Sequence, residues 1–151
     1  MVAYGKRKVL LRGSDFVVQV ETGVAGETIK PGYLVDGVTT ILKHATAGGV
    51  APYALALERD EMGAGIDDVY SNDPALPDAA YAIGDVVKIG LCHSGIQFTG
   101  WIGSGQVIIV NDRMESTGNG TFRKFGSGTI LARALETLSP LVETKLKMEW
   151  M

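Results

Sequence analysis

Apolar and polar side chains alternate most strictly at the C-terminal end of the chain. Val142, Thr144, Leu146, Met148 and Trp150 fall on one side, and Glu143, Lys145, Lys147 and Glu149 on the other. A period of two belongs to a half-buried strand, so this stretch is expected to close a sheet, anchored by burial of Trp150 and with its charges on a solvated face. Phe16, Val18 and Val20 alternate with Gln19 and Glu21 and predict a first strand. Between these ends the apolar runs are short and separated by turn signals. Pro31-Gly32 fits the central pair of a type II turn, and Asp36-Gly37 and Asn119-Gly120 read as hairpin turns, the latter as a two-residue turn. Strands are expected at 33–35, 38–44, 51–57, 86–92 and 105–111, with a polar, glycine-rich reversal before the last.

Part of this pattern is written twice. Residues 29–58 read IKPGYLVDGVTTILKHATAGGVAPYALALE, and residues 109–136 read IVNDRMESTGNGTFRKFGSGTILARALE. In each, a tight turn (Pro31-Gly32, Asn111-Asp112) leads into a short strand, a glycine-bearing hairpin, a small-residue loop and a final Ala-Leu-Glu. The expectation is an all-β single domain over residues 15–151, a small β-barrel or β-clip-like body built from two related hairpin units. Residues 1–14 are expected to form an extended N-terminal arm. Residues 58–82, rich in Asp, Ala, Pro and Gly and without periodicity, read as a long irregular loop of the kind that contacts partners.

Composition narrows the function. At 151 residues the chain has the size of one ordinary domain, and 46% hydrophobic against 21% charged residues is globular composition. Glycine is enriched, 20 of 151, which suits many short strands joined by tight reversals. The net charge of −3 gives no footprint for direct nucleic-acid binding. Cys92 is the only cysteine, so neither an internal disulfide nor a thiolate zinc site can be built. The basic N-terminus carries no apolar run long enough for a signal-peptide core, and no stretch approaches the roughly 20 apolar residues of a membrane span. A soluble protein made in the cytoplasm, with no membrane partner, is the expectation.

Candidate chemistry is sparse. His44 and His93 are the only histidines, and Cys92 adjoins His93; neighbours on a strand face opposite ways, so they are poorly placed as a nucleophile and base. Cys92 reads as a small buried residue. Glu58, Asp60, Glu61, Asp67 and Asp68 lack the spacing of a calcium loop and read as a solvated acidic loop or one facing a basic partner. The run GWIGSGQV (100–107) lacks the Lys-Ser/Thr ending of a phosphate loop and precedes a strand where that motif needs a helix, so it reads as a hairpin. Lys6, Arg7, Lys8 and Arg12 carry no interleaved aromatics and suit an acidic protein surface better than nucleic acid. No cofactor and no catalytic set is expected. Tyr53, Tyr70, Tyr81, Phe98 and Trp101 are candidate aromatics for an alternative function as a carbohydrate- or small-ligand-binding module.

Taken in order, GYLVDG (32–37), HATAGG (44–49), ALERDEMGAGIDDVY (56–70), YAIGDVVK (81–88), MESTGNGTFRK (114–124) and ARALE (132–136) resemble the capsid decoration, or cement, proteins of tailed bacteriophages. The resemblance spans about residues 29–136; the stretch 89–105 departs from it. It implies a non-enzymatic virion protein on the outer surface of the head, bound to the major capsid protein, clamping neighbouring subunits against internal DNA pressure. A homotrimer is implied as well. The segments expected to touch capsid or neighbouring subunits are the basic arm (Lys6, Arg7, Lys8, Arg12) and the acidic loop (Asp60, Glu61, Asp67, Asp68).

Overall fold

The structure, a computed structural model, describes residues 9–12, 19–50, 54–57 and 80–151. Among them are eleven strands and no helix: β1 (Leu10–Arg12), β2 (Gln19–Ala25), β3 (Val35–Asp36), β4 (Thr40–Lys43), β5 (Ala54–Ala56), β6 (Val86–Leu91), β7 (Gln97–Ile102), β8 (Arg113–Ser116), β9 (Phe122–Lys124), β10 (Ala132–Ala134) and β11 (Thr144–Trp150). They divide into two sheets, β3-β4-β2-β6-β5 and β1-β7-β11-β10-β8-β9.

Each sheet curls into a ring. In the C-terminal sheet β9 returns to β7 in parallel through Ile102↔Phe122, so β7, β11, β10, β8 and β9 close on themselves, while β1 pairs the earlier half of β7 at Leu10↔Phe98. The N-terminal sheet closes through a bridge, Leu34↔Leu55, between the entry to β3 and β5. Both rings have one connectivity. The first strand pairs the last antiparallel (β2–β6, β7–β11) and the third in parallel (β2–β4, β7–β9), the second pairs the third (β3–β4, β8–β9), and the fourth pairs the last (β5–β6, β10–β11). The doubling seen at 29–58 and 109–136 therefore extends to whole five-stranded barrels, β2–β6 and β7–β11.

Their interiors correspond residue by residue. Ala54 and Ala56 of β5 face Leu91 and Ile89, as Ala132 and Ala134 of β10 face Trp150 and Met148. Gly23 lies opposite Val87 and Gly100 opposite Leu146. A Cβ on Gly23 would lie 2.6 Å from Ile41, and one on Gly100 2.6 Å from Phe122, so both glycines let the first strand pass close to the third. Two cores result, one around Ile29, Val35, Ile41, Val87 and Ile89, the other around Phe98, Ile102, Phe122, Met148 and Trp150. Leu34 and Leu55 belong to the second core although their strands belong to the first ring, which welds the barrels together.

Two turns repeat as well. The Tyr33 N–H bonds to the Lys30 carbonyl at 3.1 Å with Gly32 at φ 97°, the type II turn expected of Pro31-Gly32. Its counterpart runs from Ile109 to Asp112 with Asn111 at φ 73°. Elsewhere the structure departs from expectation. The strand β7 occupies 97–102, a stretch read as a glycine-rich reversal, because Gly100 is a close-contact residue inside a strand and not a turn residue. Residues 105–111 form only the single bridge Ile108↔Leu138. Asn119-Gly120 is not a two-residue turn: the β8–β9 loop is five residues (117–121), with Gly118 and Gly120, not Asn119, at positive φ. Val142 lies outside β11 and is 69% exposed, whereas Trp150 is buried against Phe98 as expected. Val9 is fully buried and residues 10–12 of the segment read as an arm pair with β7.

The described residues on either side of the long connection have counterparts in the second barrel. Leu57 donates to the Lys88 carbonyl as Leu135 donates to that of Lys147, and Ile29↔Tyr81 matches Ile108↔Leu138. Residues 58–80 thus stand where the second barrel has only Glu136 and Thr137. One barrel carries 23 residues (58–80) where its twin has two, an insertion of 21 residues.

Candidate functional site

The contact between the barrels is held by backbone and side-chain hydrogen bonds. The Leu34 N–H donates to the Gly120 carbonyl at 2.8 Å, and Gly120 donates in turn to His44 O at 3.1 Å. His44 itself is buried, with Nδ1 2.7 Å from Ser116 Oγ and Nε2 3.2 Å from the Val50 carbonyl. One assignment satisfies every group: Nε2–H donates to Val50 O, Nδ1 accepts the Ser116 hydroxyl proton, and Ser116 Oγ accepts the Gly118 N–H at 3.1 Å. The sequence pointed to no such pair. A serine and histidine in contact invite a nucleophilic reading, but Ser116 is fully buried, and a backbone carbonyl stands where an orienting carboxylate would be needed. The pair is a lock between the barrels.

Glu115, also buried, is the second part of the joint. Its carboxylate accepts from Arg123 Nε at 2.8 Å and from the Gly128 N–H at 2.7 Å. Burial raises its pKa, but the Gly128 N–H, the Arg123 guanidinium and the Gly126 N–H together outweigh burial and hold the carboxyl below its ordinary value. Around it, Gly48 N–H donates to Ser116 O and Thr129 N–H to Gly48 O, both at 2.8 Å. At the far side the turn 30–33 sits on Trp101, whose Nε1–H donates to Pro31 O at 2.7 Å. Lys30 Nζ lies 4.7 Å and Lys145 Nζ 5.4 Å from that ring's centroid. The Tyr33 hydroxyl donates to Glu143 at 2.9 Å, and burial followed by this bond pushes the phenol above its ordinary pKa.

Cys92 is 1% exposed, its Sγ is 3.8 Å from the Gly90 carbonyl, and burial pushes the thiol up to about 12, so it is protonated at neutral pH. His93 is exposed. Of the candidate aromatics, Tyr81 and Phe98 are core residues, and Tyr81 OH donates to Leu57 O. Trp101 is engaged in the joint, and Tyr53 and Tyr70 lie outside the described residues. Among the described residues no three His, Cys, Asp or Glu side chains gather as a metal site.

Lys6, Arg7, Lys8, Asp60, Glu61, Asp67 and Asp68 also lie outside the described residues; Arg12 is placed by its backbone, in β1 opposite Gln97. The chain leading from the basic segment therefore joins the C-terminal barrel at β7, and the acidic segment is strung between Leu57 and Tyr81 of the N-terminal barrel. The two segments emerge from different barrels.

The protein is thus a tandem all-β body of two like-connected barrels, and that body has a known counterpart. The crystal structure of the N base of head fiber gp8.5 in bacteriophage phi29 has a similar fold: it aligns with 89% of this chain and 95% of its own at a TM-score of 0.55, with 13% identity. At that identity the likeness is one of fold. It agrees with the resemblance to phage head auxiliary proteins drawn from the sequence motifs. The chain matches no family model and no curated protein.

Proposed function

We propose that this protein decorates the head of a tailed bacteriophage, binding the outer surface of the assembled capsid and clamping neighbouring major capsid subunits against the pressure of packaged DNA. The observation that carries the proposal is the coincidence of two independent likenesses, one of ordered sequence motifs over residues 29–136 and one of fold, both to phage head proteins. The welded two-barrel body supplies a rigid element, and two segments of opposite charge leave it from different barrels. A ligand that binds the assembled shell but not its separated subunits stabilises the shell by mass action. Contacts that bridge subunits add through effective concentration.

In this proposal the basic residues Lys6, Arg7, Lys8 and Arg12 and the acidic residues Asp60, Glu61, Asp67 and Asp68 contact capsid or neighbouring decoration subunits, and the protein has no catalytic activity. A homotrimer is the expected docking form. Cosedimentation with purified capsids before and after shell expansion tests it. Binding after expansion is expected; failure to bind either form refutes it.

A further inference from the structure

The joint between the barrels has a second, open counterpart on the same molecule. Within the chain, the turn Lys30–Tyr33 of the first barrel rests on the outer face of β7 and β11, where Trp101 lies directly opposite Lys145. The register of the repeat identifies the equivalent of each half. Gly23 corresponds to Gly100, so Val24 takes the place of Trp101, and its cross-strand partner Val86 that of Lys145. The turn Ile109–Asp112, with Asn111 in the left-handed region as Gly32 is, takes the place of Lys30–Tyr33. Neither equivalent is covered: Val24 is 45% exposed, Val86 62%, Ile109 53% and Val110 47%.

The substitutions on the two halves are matched. Where the joint inside the chain sets Lys30 over Trp101, a ring that Lys145 also approaches, both free halves are aliphatic, Ile109 and Val110 on one and Val24 and Val86 on the other. Exposed aliphatic residues grouped on a folded surface mark an interaction site. Arg113 and Arg133 stand where Leu34 and Leu55 stand in the first barrel, and Arg133 pairs with Glu149 at 2.6 Å and with Asn111 at 3.0 Å. The free turn is therefore an apolar centre with a charged rim, the usual anatomy of a protein interface.

We propose that a second copy of this chain is the occupant: the turn Ile109–Asp112 of one molecule docks on the Val24–Val86 face of the next, reproducing between chains the packing that joins the two barrels within one. Such a contact is head to tail, leaves both free halves available again, and builds a closed ring when the rotation between successive copies closes.

The test needs no capsid, so its failure is separate from failure of the decoration proposal. A Val24→Cys chain and a Val110→Cys chain are prepared separately, then mixed and oxidised. The expected result is a disulfide-linked dimer in the mixture and none in either sample alone. In parallel, sedimentation analysis of the unmodified chain should show mass rising with concentration, and Val110→Lys should weaken association about tenfold or more with an unchanged thermal midpoint. A monomer at every concentration overturns the proposal. So do disulfides within a single-cysteine sample, which mean a two-fold contact, and association that Val110→Lys leaves intact.

Discussion

Replacing Gly100 by Ala tests whether the barrel interiors are as closely packed as the repeat implies. The new Cβ would lie 2.6 Å from Phe122 Cε2, 2.7 Å from the Met148 methyl and 2.9 Å from Phe122 Cδ2. The methyl of Met148 is the end of a flexible chain and can give way. Phe122 is fully buried with its centroid 5.5 Å from that of Phe98, so its ring has nowhere to turn. Overpacking of this kind costs about 1–3 kcal/mol, and the lower chain entropy of Ala in the unfolded state returns roughly 0.5–1 kcal/mol. At the middle of both ranges the net loss is about 1 kcal/mol, which for a chain of this length lowers Tm by roughly 2–4 °C. Thermal and urea unfolding followed by circular dichroism read this directly. Gly103→Ala is the control, since its Cβ would meet only Gln106 Nε2, at 3.8 Å, and no loss is expected there. The variant Phe122→Leu frees the space, so the Gly100→Ala penalty should shrink by about 1 kcal/mol in that background. A Gly100→Ala protein as stable as the parent, or a penalty unchanged by Phe122→Leu, would refute the reasoning.

Four further predictions follow from the joint and the inserted segment. Gly23→Ala should show the same loss as Gly100→Ala through Ile41, and a neutral result in urea unfolding would break the equivalence of the barrels. The folded Glu115 carboxyl lies below its ordinary pKa, so the stability it contributes is present above the unfolded value and lost as pH falls through the folded one. Glu115→Gln should therefore be less stable than the parent by about 1–3 kcal/mol at neutral pH, with the gap closing below about pH 4; a gap independent of pH assigns the loss to shape alone. Replacing residues 58–80 by Glu-Thr, the pair that closes the second barrel, should leave the thermal midpoint unchanged and abolish cosedimentation with capsids, and retained capsid binding would remove this segment from the interface. Deleting residues 1–8 should weaken capsid binding without unfolding the body, whereas deletion through residue 14 should also destabilise it by removing buried Val9 and β1; equal stability of the two truncations would contradict the β1–β7 pairing.

The parts of the fold legible in the sequence are those set by short-range chemistry. Pro31-Gly32 and the Asn at 111 announce their turns because few residues accept positive φ, and the alternation of β11 announces Trp150 as a core residue. Legibility fails where the environment is built by distant strands. Gly100 looks like a turn residue in isolation; only the nearness of Phe122 gives it a place inside a strand. Lys145 falls on the polar side of β11 and was expected in water, yet it is only 6% exposed because the first barrel covers that outer face and its ammonium lies over Trp101. Period two tells which side of a strand faces its own barrel and says nothing about which outer faces a second barrel will cover. The His44–Ser116 lock is invisible for the same reason: the two residues are 72 positions apart, and neither sits in a pattern that requires the other.

The likeness of the barrels makes their differences informative. Two rings with one connectivity carry the same folding requirements, and what those requirements demand appears in both: the small residue against the third strand, the paired alanines of the fourth, and a left-handed residue in the entry turn. Residues 58–80 appear in one barrel only, and the second closes the same gap with two residues, so the insertion is not needed to close a barrel of this kind. The arginines at 113 and 133 likewise stand where the first barrel buries Leu34 and Leu55. A long segment retained without a structural requirement costs conformational entropy if it is ordered on folding. That cost is met when a partner supplies the compensating contacts, which favours the inserted segment, rather than the elements both barrels need to fold, as a capsid-contacting part in the proposed function.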